Sequence, residues 1–196
     1  MTHKPRLIVF AKAPVFGHAK TRLAKGVGKV HAKRHYRAMT RTILRRLKDP
    51  RWSLAIATAR TNLHMRVPDW DGVVQFPQVS GSLSPRLSAV FASRGTTIVI
   101  GTDSPQIRAT DIADAFKHMD DKTVVFGPAS DGGFWLVGLL GPAPSSLFDN
   151  IRWSHDLTLK DMERNCAAHG YKLYHLRVLT DIDDIDALRA YQTDRA

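Results

Sequence analysis

Cysteine is almost missing from this 196-residue chain, and Cys166 stands alone. A single thiol can neither close an internal disulfide nor build a cysteine zinc site; with no signal peptide in view, a reducing, cytoplasmic setting is expected. Glutamate is equally scarce. Glu163 is the only one and lies inside a predicted helix, so acid–base work falls to aspartates or a histidine. Long apolar runs are missing as well: residues 134–140 make the nearest candidate, which meets Gly141 and Pro142 far short of the roughly 20 residues a membrane span needs. Acid is missing from the first quarter. Residues 1–51 hold 15 of the 29 Lys and Arg against one acid, Asp49, so this stretch is strongly basic while the rest is slightly acidic.

What is present suffices for one compact domain over residues 1–196, with 43% hydrophobic residues to build a core. The basic stretch calls for an anionic partner, which charge alone leaves open between nucleic acid, an acidic membrane surface and a phosphorylated small molecule. Many of its bases fall between Lys29 and Lys48, among Val30, Tyr36, Ile43, Leu44 and Leu47 at helical spacing. This reads as a helix with a solvated basic face rather than a nucleic-acid surface.

Apolar runs at residues 6–13, 53–59, 73–76, 96–100, 123–126, 134–139 and 172–176 predict strands. Helices are predicted over the basic stretch and at residues 85–93, 109–119, 157–169 and 185–191. Strand and helix alternate, which predicts an α/β fold: a mostly parallel sheet covered on both faces, three layers in all.

In such a sheet the ligand crevice lies at the carboxyl ends of the strands, so the loops leaving strands matter most. Gly17, Lys20, Thr21 and Arg22, at an expected helix start, offer backbone approach, cations, a hydroxyl and amides to a phosphate, although the spacing is not that of a Walker loop. Asp103, in the run Gly101-Thr102-Asp103-Ser104-Pro105 after a strand, is placed to hold magnesium or manganese bridging phosphates, or merely to cap a helix. Asp131 precedes Gly132 and Gly133, a pair that allows a ligand close to the backbone or forms an ordinary hairpin turn. Trp153 is placed to stack on a base or sugar, or to plug the core. Asp181 and Asp183 open the terminal helix, where acids suit the dipole whether or not they bind metal. His155 has no paired ligand spacing.

Taken in order, Phe10-Ala11-Lys12-Ala13-Pro14 with Gly17 and Lys20-Thr21-Arg22-Leu23, Gly101 to Pro105, Gly127-Pro128-Ala129 with Asp131-Gly132-Gly133, Trp153-Ser154, then Asp181 and Asp183 resemble a bacterial glycosyltransferase-like family associated with arsenosugar biosynthesis. That family is similar to nucleotide-diphospho-sugar transferases of GT-A type and, more distantly, to the guanylyltransferases of molybdopterin and phospholactate. The resemblance implies a transferase taking a nucleotide or nucleotide-sugar and a small acceptor. It implies a nucleotide pocket at Ala11, Lys12, Pro14, Gly17, Lys20, Thr21, Arg22 and Thr102, and a divalent metal (Mg²⁺ or Mn²⁺) at Asp103. The further metal ligand is expected from Asp183 or Asp131, or from substrate and water; Asp131 and Arg22 are the expected catalytic pair, and Arg86, Gly132, Gly133, Trp153 and Ser154 the substrate contacts. Two departures stand out. Gly81-Ser82-Leu83-Ser84-Pro85-Arg86 replaces a pattern with aspartate after the glycine, and Asp103 has no second acid two residues on.

Overall fold

The computed structural model describes residues 4–14, 21–62 and 65–193. Gly17 and Lys20, two of the expected nucleotide contacts, lie outside these residues, and the side chain of Thr21 does too.

Seven strands form one sheet: β1 (Arg6–Phe10), β2 (Ser53–Ala59), β3 (Val74–Gln78), β4 (Gly95–Ile100), β5 (Thr123–Pro128), β6 (Phe134–Gly141) and β7 (Lys172–His175), in the order β3-β2-β1-β4-β6-β5-β7. Every neighbouring pair is parallel except the two made by β6, which runs antiparallel to both β4 and β5. β6 is reversed because only the short turn Ala129–Gly133 joins it to β5, and a parallel return would need a crossover of a dozen or more residues. Pro77 sits in β3, an edge strand, where a missing N–H is tolerated.

The basic helix predicted between Lys29 and Lys48 forms as one helix, and a shorter one precedes it where a loop was expected. α1 (Thr21–Val27) stops before Gly28, whose φ of 80° a side chain would resist, and α2 (Lys29–Arg46) starts after it. α2 buries Ala32, Tyr36, Met39, Thr40, Ile43 and Leu44 at helical spacing. Val30, expected on that apolar face, is instead 56% exposed. It lies in the first turn, on the opposite side from the stripe set by Ala32, Tyr36 and Met39. The remaining helices are α3 (Leu83–Phe91), α4 (Ala109–Lys117), α5 (Thr158–Ala168) and α6 (Ile185–Thr193).

Because side chains alternate along a strand, each strand feeds two cores. Leu7 and Val9 of β1 and Ile98 and Ile100 of β4 meet Ile43 and Leu44 of α2 and Ile112 and Ala115 of α4. Ile8 and Val99, one residue out of step, meet Leu87 and Phe91 of α3 and Met162 and Cys166 of α5. Each fully buried aliphatic side chain contributes about 1.5–3 kcal/mol. A third cluster joins Leu23 of α1 and Ala32 and Met39 of α2 to Ile182 and Leu188, anchoring the C-terminal segment beside the start of the chain. Among the described residues, no helix is long and apolar enough to cross a membrane.

Candidate functional site

The site is built where strands end. Ala11 prolongs β1 by donating its N–H to the carbonyl of Ala57 at 3.1 Å, after which the chain passes through Lys12. Lys12 is exposed, but its backbone is clamped: its N–H donates to Tyr36 Oη at 2.9 Å and its carbonyl accepts from the same hydroxyl at 2.8 Å. Burial pushes the Tyr36 phenol up, with Thr102 and Asp103 among its neighbours, so this α2 side chain also lies against the loop that follows β4.

That loop carries Thr102, Asp103 and Ser104. Arg46 of α2 supports it from behind, donating to the carbonyls of Pro105 at 2.8 Å and Ile107 at 3.2 Å. The carbonyl of Asp103 accepts from Ile182 N at 2.8 Å, drawing the segment before α6 onto it. Ile182 is fully buried and pins that segment, while Asp181 and Asp183 flank it. Ser104, itself buried, donates to Asp181 Oδ1. From the next pair of strands, Ala129 bridges to Leu179 and Ser130 N donates to the Leu179 carbonyl at 2.9 Å, which ties the β5–β6 turn to the same segment.

Three loops thus bring four aspartates together: Asp103, Asp131, Asp181 and Asp183. Their mutual influence is visible at Asp181, whose carboxyl is pushed up to about 6. Burial is the main cause; the Ser104 hydrogen bond opposes it, and the charges of Asp103, Asp131 and Asp183 push further in the same direction. An acid cluster that raises one of its own members suits a hard divalent cation, which oxygen ligands bind. Among the described residues, however, no group of three or more His, Cys, Asp or Glu is gathered as a ready-made cage. A divalent ion here would be held by one or two carboxylates and completed by substrate oxygens and water.

The expected residues are distributed unevenly about this centre. Asp131 is exposed in the turn and accepts from Gly133 N at 2.9 Å. Gly132 has the positive φ (85°) expected of it, but the close approach it permits is to the chain itself: a Cβ there would lie 2.0 Å from the Asp156 carbonyl oxygen. Arg22 is exposed in the first turn of α1. Trp153 is half-buried, packs edge-on to Phe134 and donates Nε1 to Ser84 Oγ at 2.9 Å. Ser154 is exposed with φ 58°. Both follow Arg152, which grips the buried Asp161 through both carboxylate oxygens and holds that carboxyl well below the usual range. Arg86 lies on α3 in the wall of a separate cavity that shares no residue with the aspartates.

Tyr36, Arg46 and Ser104 escaped the sequence reading as site residues. Tyr36 and Arg46 carry no local signal, since each acts on a loop far away in sequence. Ser104 follows Asp103 directly, but its bond to Asp181 spans 77 residues.

The chain belongs to the bacterial family described as "Uncharacterized protein conserved in bacteria (DUF2064)", which it matches over residues 42–155. No curated protein matches it. Among solved structures it is similar to a candidate nucleotide-diphospho-sugar transferase from Desulfovibrio desulfuricans G20, at TM-score 0.88 and 22% identity over 100% of this chain and 89% of that one. It is also similar to a nucleotidyl transferase from Methanothermobacter, at TM-score 0.62 and 14% identity over 98% of each chain. A CMP:2-keto-3-deoxy-manno-octonic acid synthetase complexed with CTP follows at TM-score 0.54 and 13% identity, over 99% of this chain and 100% of that one. The fold is thus that of nucleotide-diphospho-sugar transferases and nucleotidyltransferases.

Proposed function

We propose that the chain is a metal-dependent glycosyltransferase-like enzyme with a three-layer α/β/α domain, moving a sugar from a nucleotide diphosphate to a small acceptor. The observation that carries this reading is the cluster of Asp103, Asp131, Asp181 and Asp183 where β4, β5 and the β7 segment end, with Asp181 pushed up to about 6 by burial and its neighbours. Such excess negative charge is unfavourable without a cation, and Asp103 and Asp183 would hold a divalent ion. When bound, that ion neutralises charge on the diphosphate.

The chain's own residues supply the rest. Lys12 and Arg22, with Lys20, Thr21, Gly17 and the backbone of Ala11, Pro14 and Thr102, would bind the nucleotide phosphates and stabilise charge gathering on the departing nucleoside diphosphate. Asp131, exposed and oriented by Gly133 N, is the base that takes the proton of the acceptor hydroxyl. The acceptor oxygen then bonds to the anomeric carbon as the bond to the diphosphate breaks. Gly133, Trp153 and Ser154 would line the acceptor side.

The alternative is nucleotidyl transfer from a triphosphate to a phosphorylated small molecule. It draws support from the likeness to a nucleotidyl transferase and to a synthetase that binds CTP. The same acid cluster would serve there. Thermal-shift measurements with nucleotide sugars, nucleoside triphosphates and nucleoside diphosphates, with and without magnesium or manganese, separate the two. Stabilisation by a nucleotide sugar only with metal, and its loss in Asp103→Asn, is the expected outcome. A response to triphosphates alone selects nucleotidyl transfer, and no response to any nucleotide refutes both.

A further inference from the structure

A cavity of about 240 Å³ lies between α3 and the β1-β2-β3 side of the sheet, away from the aspartates. Its floor is apolar, with Ile8 and Phe76, and Val90 of α3 forms part of the wall. Its polar lining is one-sided: Arg6, Arg86, Gln78 and Ser93 face it, and no acid does. Neither arginine pairs with a carboxylate among the described residues. Arg6 gives Nε and Nη2 to one hydroxyl, Thr97 Oγ1, at 3.1 and 2.8 Å.

Arg86 is satisfied less. Its Nη1 donates to Gln78 Oε1 at 3.2 Å, and Gln78 is itself fixed by donating Nε2 to the Ala57 carbonyl at 2.7 Å. The Nε of Arg86 is buried with no hydrogen-bond partner. A buried, unsatisfied donor on a cation is costly, and a planar guanidinium is matched best by a carboxylate or phosphate that accepts two of its N–H groups. α3 has no acid in its first turn, where Ser82 is the N-cap four residues before Arg86, so nothing local neutralises that cation.

We propose that this cavity binds a small organic anion, a phosphate ester or a carboxylate with an apolar body. Arg86 donates to the anionic group, Arg6 adds the second charge, and the apolar body lies over Ile8 and Phe76. The volume is below the roughly 300–1,000 Å³ of pockets for drug-sized ligands, which limits the occupant to about the size of a substituted single ring. The site is positive where the aspartate centre is negative, so it needs no metal and goes beyond the nucleotide reading.

The test is isothermal titration of the full chain, free of divalent metal, with phenyl phosphate, benzoate and inorganic phosphate. Saturable one-to-one binding of phenyl phosphate or benzoate is expected, the tighter of the two naming the anionic group, with inorganic phosphate weaker because it leaves the apolar floor uncovered. Arg86→Gln should weaken binding about tenfold or more. Ser82→Asp, which places a carboxylate one turn before Arg86 on a helix end that favours acid, should also weaken it several-fold with the fold intact. Asp103→Asn should leave it unchanged. No saturation at about ten millimolar probe, equal affinity in Ser82→Asp and wild type, or loss of binding in Asp103→Asn would each overturn the proposal. Because nucleotide binding at the aspartates is read separately by its metal dependence, either reading can fail alone.

Discussion

Removing the charge of Asp181 should make the metal-free chain more stable above neutrality. The carboxyl of Asp181 rises from 3.8 to about 6 on folding, because it is buried among Asp103, Asp131 and Asp183. A raised value means that the folded chain binds a proton more tightly than the unfolded one. Its contribution is fully present below about pH 4, falls as the pH climbs through 6, and is gone above that. The difference corresponds to about 3 kcal/mol between the two ends of the window. Asp181→Asn keeps an oxygen for the Ser104 hydroxyl and cannot ionise, so it should escape this loss. Urea unfolding followed by tryptophan fluorescence, in the presence of a chelator from pH 4 to pH 8, measures it. Variant and wild type should be similar at pH 4 and diverge to about 3 kcal/mol in favour of the variant at pH 8. Taking the difference between the two proteins cancels other titrating groups. Parallel curves, or a gap that opens in favour of the wild type, would refute the account of the acid cluster.

Two other changes test the scaffold around the site. Gly132→Ala places a Cβ 2.0 Å from the Asp156 carbonyl oxygen at a φ of 85°, so the β5–β6 turn or the start of α5 must move. The expected loss is about 2–4 kcal/mol by denaturant unfolding, and a loss below about 1 kcal/mol would contradict the close approach. Tyr36→Phe removes the hydroxyl that both accepts from Lys12 N and donates to Lys12 O. It should cost about 1–2 kcal/mol and hasten hydrogen exchange at the Lys12 amide, and unchanged exchange would show that the clamp is not formed in solution.

Local patterning made the elements legible. β2 falls on residues 53–59 as its apolar run predicts, and α4 starts at Ala109 and α6 at Ile185 as predicted. The sheet is mostly parallel, as the alternation of strand and helix requires. Pairing distant in sequence was less visible. The reversal of β6 depends on a turn that also reads as a ligand loop, and Asp131-Gly132-Gly133 carries both signals. The residues 181–183 announce only acids at a helix start. That Ile182 is the buried one, that Asp181 meets Ser104, and that Asp103 and Asp131 approach from two other loops all follow from long-range contacts. Arg86 was singled out from its motif, but its setting depends on Gln78 and Arg6, which no local spacing connects to it.

The basic first quarter of the chain also finds its explanation in these contacts. A solvated helix face accounts for its outward bases, yet two groups of α2 act on the site loops and a third braces the helix elsewhere. Tyr36 fixes Lys12 after β1, Arg46 holds the carbonyls of Pro105 and Ile107 just past Asp103, and Arg37 ties α2 to Asp69 through a 2.8 Å ion pair. α2 is therefore the strut that sets the first loop, with its cations, against the second, with its acid. The division of charge has a physical use in this arrangement. On the proposed reading, a nucleotide diphosphate would be drawn by the net charge of +11, and the acid cluster would keep its phosphates from settling there unless a cation intervened. Binding would then depend jointly on Lys12 or Arg22 and on metal at Asp103, so replacing either partner should weaken nucleotide affinity by more than salt screening of the surface alone.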